Sequence, residues 1–278
     1  MFFSENTVDQ WIEEDVPGFD LTTGLLTFDK KSLNIKFSAR HDMTLSAAEA
    51  AVRVLTKAGC VVKSSMESGT AVKQGDLIIE ADGAPKCVHT GWRIALNLLE
   101  YCSGIATRTN GLVKKARAVN ENIVVCGTRK SFPGTRRLSQ QALLSGGGIS
   151  HRLGLAETVL FFAAHYDMAG GLDKLFADLP KIRLNCIEKK IGIELEDLKE
   201  IEKAAKAGID TIQTDKMTPD QVKDAVKLVK NINPNIKVAA AGGINIDNCA
   251  EYAASGCDML VTSWMYFGKP ADVKASIS

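Results

Sequence analysis

The sequence predicts an α/β protein in two parts. Residues 1–106 read as an N-terminal α+β sandwich domain, and residues 107–278 as an incomplete, TIM-like parallel β/α barrel whose last residues return to the N-terminal domain. Three observations predict this. Short β-like runs broken by turns precede residue 105, six strand-like runs alternate with helical periodicity after it, and loops bearing glycine and cations follow those later strands. Repeated strand–helix alternation is the pattern of a parallel sheet covered by helices.

In the first part the strand candidates are Leu25–Phe28, Leu33–Phe37, Val61–Ser64 and Leu77–Glu80. Between the second and third, residues 46–58 place Ala47, Ala51, Val54 and Leu55 on one helical face. Ser68-Gly-Thr-Ala-Val-Lys-Gln-Gly-Asp76 reads as the connection of a hairpin. From His89 to Tyr101, Trp92, Ala95, Leu96 and Leu99 form an apolar stripe, with Arg93 and Asn97 four apart on its flank.

In the second part the strands are Ile123–Gly127, Thr158–Ala163, Ile191–Glu194, Thr211–Asp215, Val238–Gly242 and Met259–Ser263. The helix over residues 196–207 carries Leu198, Ile201, Ala204 and Ala205 inward. Thr218 followed by Pro219 caps and starts the next, which buries Val222, Ala225, Val226 and Val229.

Composition bounds the function. The 278 residues are 45% apolar and 24% charged, enough for a sizeable core. A net charge of +1 argues against bulk electrostatic binding of nucleic acid. No apolar run approaches the roughly 20 residues that cross a bilayer, and Met1-Phe-Phe-Ser-Glu-Asn6 lacks a signal peptide's basic and apolar segments. A cytoplasmic protein without membrane or nucleic-acid partners is expected. The seven cysteines, an odd number without C-x-x-C spacing, read as free thiols of a reducing compartment rather than as disulfides or zinc ligands.

Positive groups concentrate in Gly127-Thr-Arg-Lys-Ser-Phe-Pro-Gly134 and Gly146-Gly-Gly-Ile-Ser-His-Arg-Leu-Gly154, which bring Arg129, Lys130, His151 and Arg152 to glycine-bearing loops. Local charge of one sign at strand ends describes a site for a multiply negative ligand. Chemistry in parallel barrels sits at the C-terminal strand ends. Those positions here are Thr128, Arg129, Lys130, His165, Glu194, Asp215, Gly242, Gly243 and Ser263. Gly242-Gly243 suits a phosphate cradle or a plain tight turn. Glu194 and Asp215, ending successive strands, suit a metal ion, sugar hydroxyls or the surface.

Five motifs then resemble one family in order and spacing: Arg93-Ile-Ala-Leu-Asn97, Ser103-Gly-Ile-Ala-Thr107, Thr128-Arg-Lys-Ser-Phe-Pro-Gly134, Gly146-Gly-Gly148 and His151-Arg-Leu-Gly-Leu155. They resemble the type II phosphoribosyltransferases, the nicotinate-nucleotide pyrophosphorylase (quinolinate phosphoribosyltransferase) family. Asp20-Leu-Thr-Thr23 is similar to that family's opening, and the resemblance runs from about Asp15 to beyond Asp258. Trp92, Ser131-Phe132 and Ser263-Trp-Met-Tyr266 are most similar to its ModD branch, found with molybdenum transport genes.

The resemblance implies transfer of a ribosyl phosphate from phosphoribosyl pyrophosphate, with Mg²⁺, to the ring nitrogen of an acidic heterocycle, releasing pyrophosphate. It implies that Arg129, His151 and Arg152 hold the acid substrate and that Lys130 lies near the reacting phosphates. Glu194 and Asp215 would hold ribose and metal, Gly242 and Gly243 the 5′-phosphate, with His165 and Ser263 lining the substrate. Arg93 would reach a substrate carboxylate of a neighbouring subunit, so that the unit is a homodimer or larger oligomer with its site at the interface.

The sequence also departs from the quinolinate enzymes. Phe162 stands where they carry a lysine, Ala164 where they carry Asn, Ala239 where they carry an acid, and Lys216 where they carry Asn; their Gly-x-Leu-Thr-His is missing. A phosphoribosyltransferase with an altered acceptor pocket is therefore the expectation. The alternative is a non-catalytic anion- or nucleotide-binding protein of molybdate handling. Leu77-Ile-Ile-Glu-Ala-Asp-Gly83 mimics the type I phosphoribosyltransferase signature but lacks a following Thr-rich loop. A P-loop and a G-x-G-x-x-G fingerprint are also missing.

Overall fold

The computed structural model describes residues 2–278 and divides them into two compact units. One unit comprises the chain up to Asn110 with Phe132–Gly147 and Tyr266–Ser278; the other comprises Gly111–Ser131 and Gly148–Met265.

The first unit begins with α1 (Glu5–Asp15), capped by Ser4, and α2 (Leu21–Gly24), capped by the Asp20 carboxylate on Thr23 N–H. Then come β1 (Leu33–Ala39), β2 (Met43–Thr44), α3 (Ala48–Lys57), β3 (Val61–Ser65), β4 (Ala71–Val72), β5 (Leu77–Gly83) and α4 (Pro85–Arg117). The second unit supplies β6 (Val124–Gly127), after which α5 (Arg136–Ser145) belongs again to the first. The second unit continues with β7 (Ile149–Ser150), β8 (Val159–Phe161), α6 (Ala163–Met168), α7 (Leu172–Asn185), β9 (Ile191–Leu195), α8 (Leu198–Ala207), β10 (Thr211–Asp215), α9 (Pro219–Ile232), β11 (Lys237–Ala241), α10 (Cys249–Ala254) and β12 (Met259–Thr262). The closing strand β13 (Val273–Ile277) lies in the first unit.

In the first unit an antiparallel sheet runs β13-β1-β5-β3. Alternation along β1 turns Ile35, Phe37 and Ala39 inward and Lys36 outward. The inward residues pack with Ala48, Ala51 and Leu55 of α3 and Val88, Ala95, Leu96 and Leu99 of α4. This is one sheet covered by helices, the expected α+β layer. Val8 of α1 and Ala142 of α5 pack with Val54, Ile94, Leu98 and Cys102 in a second cluster.

Three expectations change here. Residues 25–28 form no strand: Asp20 caps a helical turn just before them, and Leu25 and Leu26 stay exposed without a neighbouring strand. The helix expected over 89–101 runs through Arg117, so the change of character near 105 lies inside one helix and the units part at Asn110 rather than 106. Gly104 does not interrupt that helix. A Cβ there would lie 2.9 Å from the carbonyl oxygen of Lys269, so the glycine serves a close approach of backbone.

In the second unit a parallel sheet runs β7-β6-β12-β11-β10-β9-β8. Seven strands, short of eight, make an incomplete barrel open between β7 and β8; the two-residue β7 is the strand that patterning misses. Thr218 and Gln221 form a capping box at α9 with Pro219 following, as their sequence predicts. Interior layers follow from the register. One comprises Glu194, Gln213, Ala239, Met259 and Val124; the next comprises Asp215, Ala241, Val261 and Cys126. The seven cysteines are free thiols, and burial pushes those of Cys102 and Cys126 up to about 12. Among the described residues no helix is long and apolar enough to cross a membrane.

Removing β13 leaves seven-residue β1 as a bare edge over the most buried side chains of its sheet. Truncation after Asp272 is expected to lower the melting temperature and promote self-association, read by thermal unfolding and light scattering.

Candidate functional site

Each strand of the second unit delivers a polar group at its C-terminal end. Thr128, Arg129 and Lys130 follow β6; His151 and Arg152 follow β7; Phe162 and His165 follow β8; Glu194 and Asp215 stand on β9 and β10; Gly242 and Gly243 follow β11; and Ser263 follows β12. A parallel sheet places all these ends on one rim.

Hydrogen bonds tie the exits together. The hydroxyls of Thr128 and Ser263 lie 2.7 Å apart, and Lys130 N–H donates to Thr128 Oγ1 at 3.1 Å. His151 N–H donates to the carbonyl of Gly127 at 3.0 Å. His165 lies in the first turn of α6, where its Nδ1 accepts from Phe162 N–H at 3.0 Å. It is an exposed residue of a short helix rather than of the strand end itself.

The cations are partly desolvated. Arg152 is 7% exposed, and burial with the neighbouring Arg129 lowers its pKa, against the opposing pull of Glu157. Burial, and then Arg152, lower the His151 pKa below the usual imidazole value, which favours a neutral ring. The Arg152 guanidinium stands 5.8 Å from the centre of the Phe162 ring, within reach of a cation–π contact. The Phe162 and His165 rings lie 5.7 Å apart. Side chains following β7 and β8, the two free edges of the sheet, thus meet across its opening.

The acids form the other half. Glu194 accepts a hydrogen bond from Gln213 Nε2. Burial, and then the like charge of Asp215, raise its pKa; Gln213, Lys130 and Lys216 oppose this. Asp215 pairs with Lys216 Nζ at 3.2 Å. Lys216 has the positive φ of +54°, and its N–H donates to the carbonyl of Ala241 at 3.0 Å. Gly242 lies against it at φ +90°, where a Cβ would come within 2.5 Å of Lys216 N and 2.9 Å of Asp215 Oδ1. Glycine is therefore required at 242 by both space and conformation.

The second unit gathers ten of the eleven site residues predicted from sequence on its rim. Arg93 belongs to the first unit, on the exposed side of α4, with its guanidinium 4.1 Å over the Trp92 ring. Sequence reasoning missed Gln213. A polar residue two positions before Asp215 shares its inward face, and that parity is the signal that identifies it.

The arrangement holds cations and an imidazole of lowered basicity on one side and two mutually repelling acids on the other. It suits a ligand with negative groups at one end and hydroxyls or a bound cation at the other.

Comparison with known proteins identifies relatives of the whole chain. Residues 105–274 match the C-terminal domain of quinolinate phosphoribosyl transferase, and residues 20–103 match its N-terminal domain. The chain is 34% identical over 277 residues to the protein named "Putative pyrophosphorylase ModD" of Pasteurella multocida, covering 100% of this chain and 98% of that one. It is 30% identical over 264 residues to the human nicotinate-nucleotide pyrophosphorylase (carboxylating), covering 95% and 88%. The crystal structure of nicotinate-nucleotide pyrophosphorylase from Ehrlichia chaffeensis has the same fold, with a TM-score of 0.90 over 100% of both chains at 22% identity.

A raised Glu194 pKa means that the ionised carboxylate is disfavoured by the fold. Stability contributed by its protonated form is full below the unfolded value of about 4.3 and lost as pH rises through the folded value. At pH 7, Glu194→Gln is therefore expected to raise the melting temperature, and the gain should shrink on acidification, as read by thermal unfolding across pH.

Proposed function

The chain belongs to the quinolinate phosphoribosyl transferase family, and on that premise we propose that it transfers the ribosyl phosphate of phosphoribosyl pyrophosphate to a ring nitrogen of an acidic heterocycle other than quinolinate. The C1′–oxygen bond to pyrophosphate breaks, the C1′–nitrogen bond forms, and pyrophosphate leaves.

The carrying observation is the division of the rim. Glu194 and Asp215 stand as a pair of acids within electrostatic reach of Lys130, while Phe162, in the family's lysine position, lies beneath the Arg152 guanidinium. The first half is equipment for a ribosyl group in which positive charge develops at C1′. The second offers an apolar ring face where a second acidic group would want a cation. Arginine forks at 129 and 152 suit a planar carboxylate, and the phenyl face suits a planar ring. A molybdate-binding protein would have no use for a half-buried carboxylate within electrostatic reach of its cations.

Magnesium fits the donor set. Among the described residues no three metal-ligating side chains converge, but Mg²⁺ commonly takes one or two carboxylates and completes its shell with water and substrate phosphate. Glu194 and Asp215 would hold it, and the ion when bound would share the charge of the leaving pyrophosphate. Lys130 adds its own charge to that group, and the backbone at Gly242 and Gly243 is open to a phosphate.

Pyrophosphate release from phosphoribosyl pyrophosphate with a panel of pyridine and pyrimidine acids tests the reading. Release with an acceptor other than quinolinate is expected, and quinolinate turnover at biosynthetic rates overturns it. Phe162→Lys restores a charge-assisted contact of about 1.5–3 kcal/mol and should improve kcat/KM for quinolinate by roughly 10- to 150-fold.

Arg93 is assigned to the acceptor carboxylate of a neighbouring subunit, which makes the working unit a homodimer or larger. Mixing Arg93→Ala with Lys130→Ala protein should then restore activity that each lacks alone; assay of the mixed oligomers checks it.

A further inference from the structure

Gln213 is the one polar member of the Glu194 layer that the proposed reaction leaves without a role. It stands on β10 between Glu194 of β9 and Ala239 of β11 and is 5% exposed. Its Nε2 donates to Glu194 Oε2. Its Oε1 is buried and accepts no hydrogen bond. Ala239, fully buried on the other side, presents only a methyl group.

A carbonyl buried without a donor is unfavourable, and apart from Glu194 the layer around it is apolar. Methionine would fill a similar volume with no polar atom left over. The single hydrogen bond that sets glutamine apart from methionine at this position is the one to Glu194. That carboxylate needs an anchor. It sits on a flexible side chain and is repelled by Asp215, so without a bond to one oxygen it would swing away from the acid pair.

We infer that Gln213 is a positioning residue: its amide fixes one oxygen of Glu194 and leaves the other presented to the ribosyl ligand. This rests on the phosphoribosyl reading above. Gln213 touches no reacting atom and acts through Glu194.

The test compares the full-length protein with Gln213→Met. Calorimetry reads the affinity for phosphoribosyl pyrophosphate with Mg²⁺, kinetics read kcat and both KM values, and thermal unfolding reads stability. The variant should melt at or above the parent temperature, because the unpaired carbonyl is gone. It should lose roughly tenfold or more in affinity and kcat/KM for phosphoribosyl pyrophosphate, while KM for the acceptor stays unchanged. Unaltered affinity and kinetics overturn the inference, since Gln213 then only fills space. So does a variant that melts lower or fails to fold, since the amide then serves the fold. If the parent protein itself does not bind phosphoribosyl pyrophosphate with Mg²⁺, the phosphoribosyl reading fails and takes the inference with it.

Discussion

The parallel register of β9, β10 and β11 is the constraint on which the site depends. It sets Glu194 opposite Gln213, Gln213 opposite Ala239, and Asp215 opposite Ala241. Side chains alternate along a strand, so a slip of one residue would turn both acids outward and bring their buried neighbours to the interior. Gly242 guards that register. Its backbone passes so close to Lys216 and Asp215 that a Cβ would strike Lys216 N at 2.5 Å. Lys216 in turn adopts a left-handed conformation to donate its N–H to Ala241. The turn proposed above to receive a phosphate is thus the same turn that holds two strand ends together.

Strand order distributes the charge. Arg129, Lys130, His151 and Arg152 follow β6 and β7 at one side of the sheet, while the acids stand on β9 and β10. Burial works against both sets: it depresses the basicity of Arg152 and His151 and raises the Glu194 pKa. A fold optimised for stability alone would not desolvate like charges side by side, and such perturbed groups gather where ligands are bound. The opening between β7 and β8 is spanned by the Arg152–Phe162 contact, so a side-chain interaction joins two edges that no strand pairing closes.

Much of this was legible in the sequence because it rests on periodicity and on the ends of strands. The alternation of strand and helix after residue 105, the Thr218 cap and the rim residues from Arg129 to Ser263 all follow local rules. What escaped obeys longer-range physics. Residues 25–28 carry strand-like side chains but find no partner strand. The two residues of β7 are too few to show a period, and their pairing depends on β6. The return of residues 132–147 to the first unit is decided by packing, through Ala142 among side chains of α1, α3 and α4. Gln213 is marked as inward by its parity with Asp215, but its bond to Glu194 depends on the cross-strand register, which no local pattern shows.

Two residues that set this chain apart from the quinolinate pattern it resembles, Phe162 and Lys216, stand on either side of one acid. One residue beyond the last paired positions of β8 and β9, Phe161 with Ile193, come Phe162 and Glu194. A lysine at 162 would place a counter-charge next to that acid; a phenyl ring cannot. Glu194 here is instead countered by Lys130 and Lys216 and held by Gln213. Lys216 also pairs with Asp215, so one exposed cation serves both acids from outside the barrel. On the proposed reading, a counter-charge on the loop after β10 offsets the acids while the Phe162 side keeps an apolar face. A phenyl ring at 162 without such cations would leave a half-buried, repelled carboxylate with less to offset it. Phe162 and Lys216 are thus linked through Glu194: the strand end that offers no cation and the loop that supplies one bear on the same carboxylate.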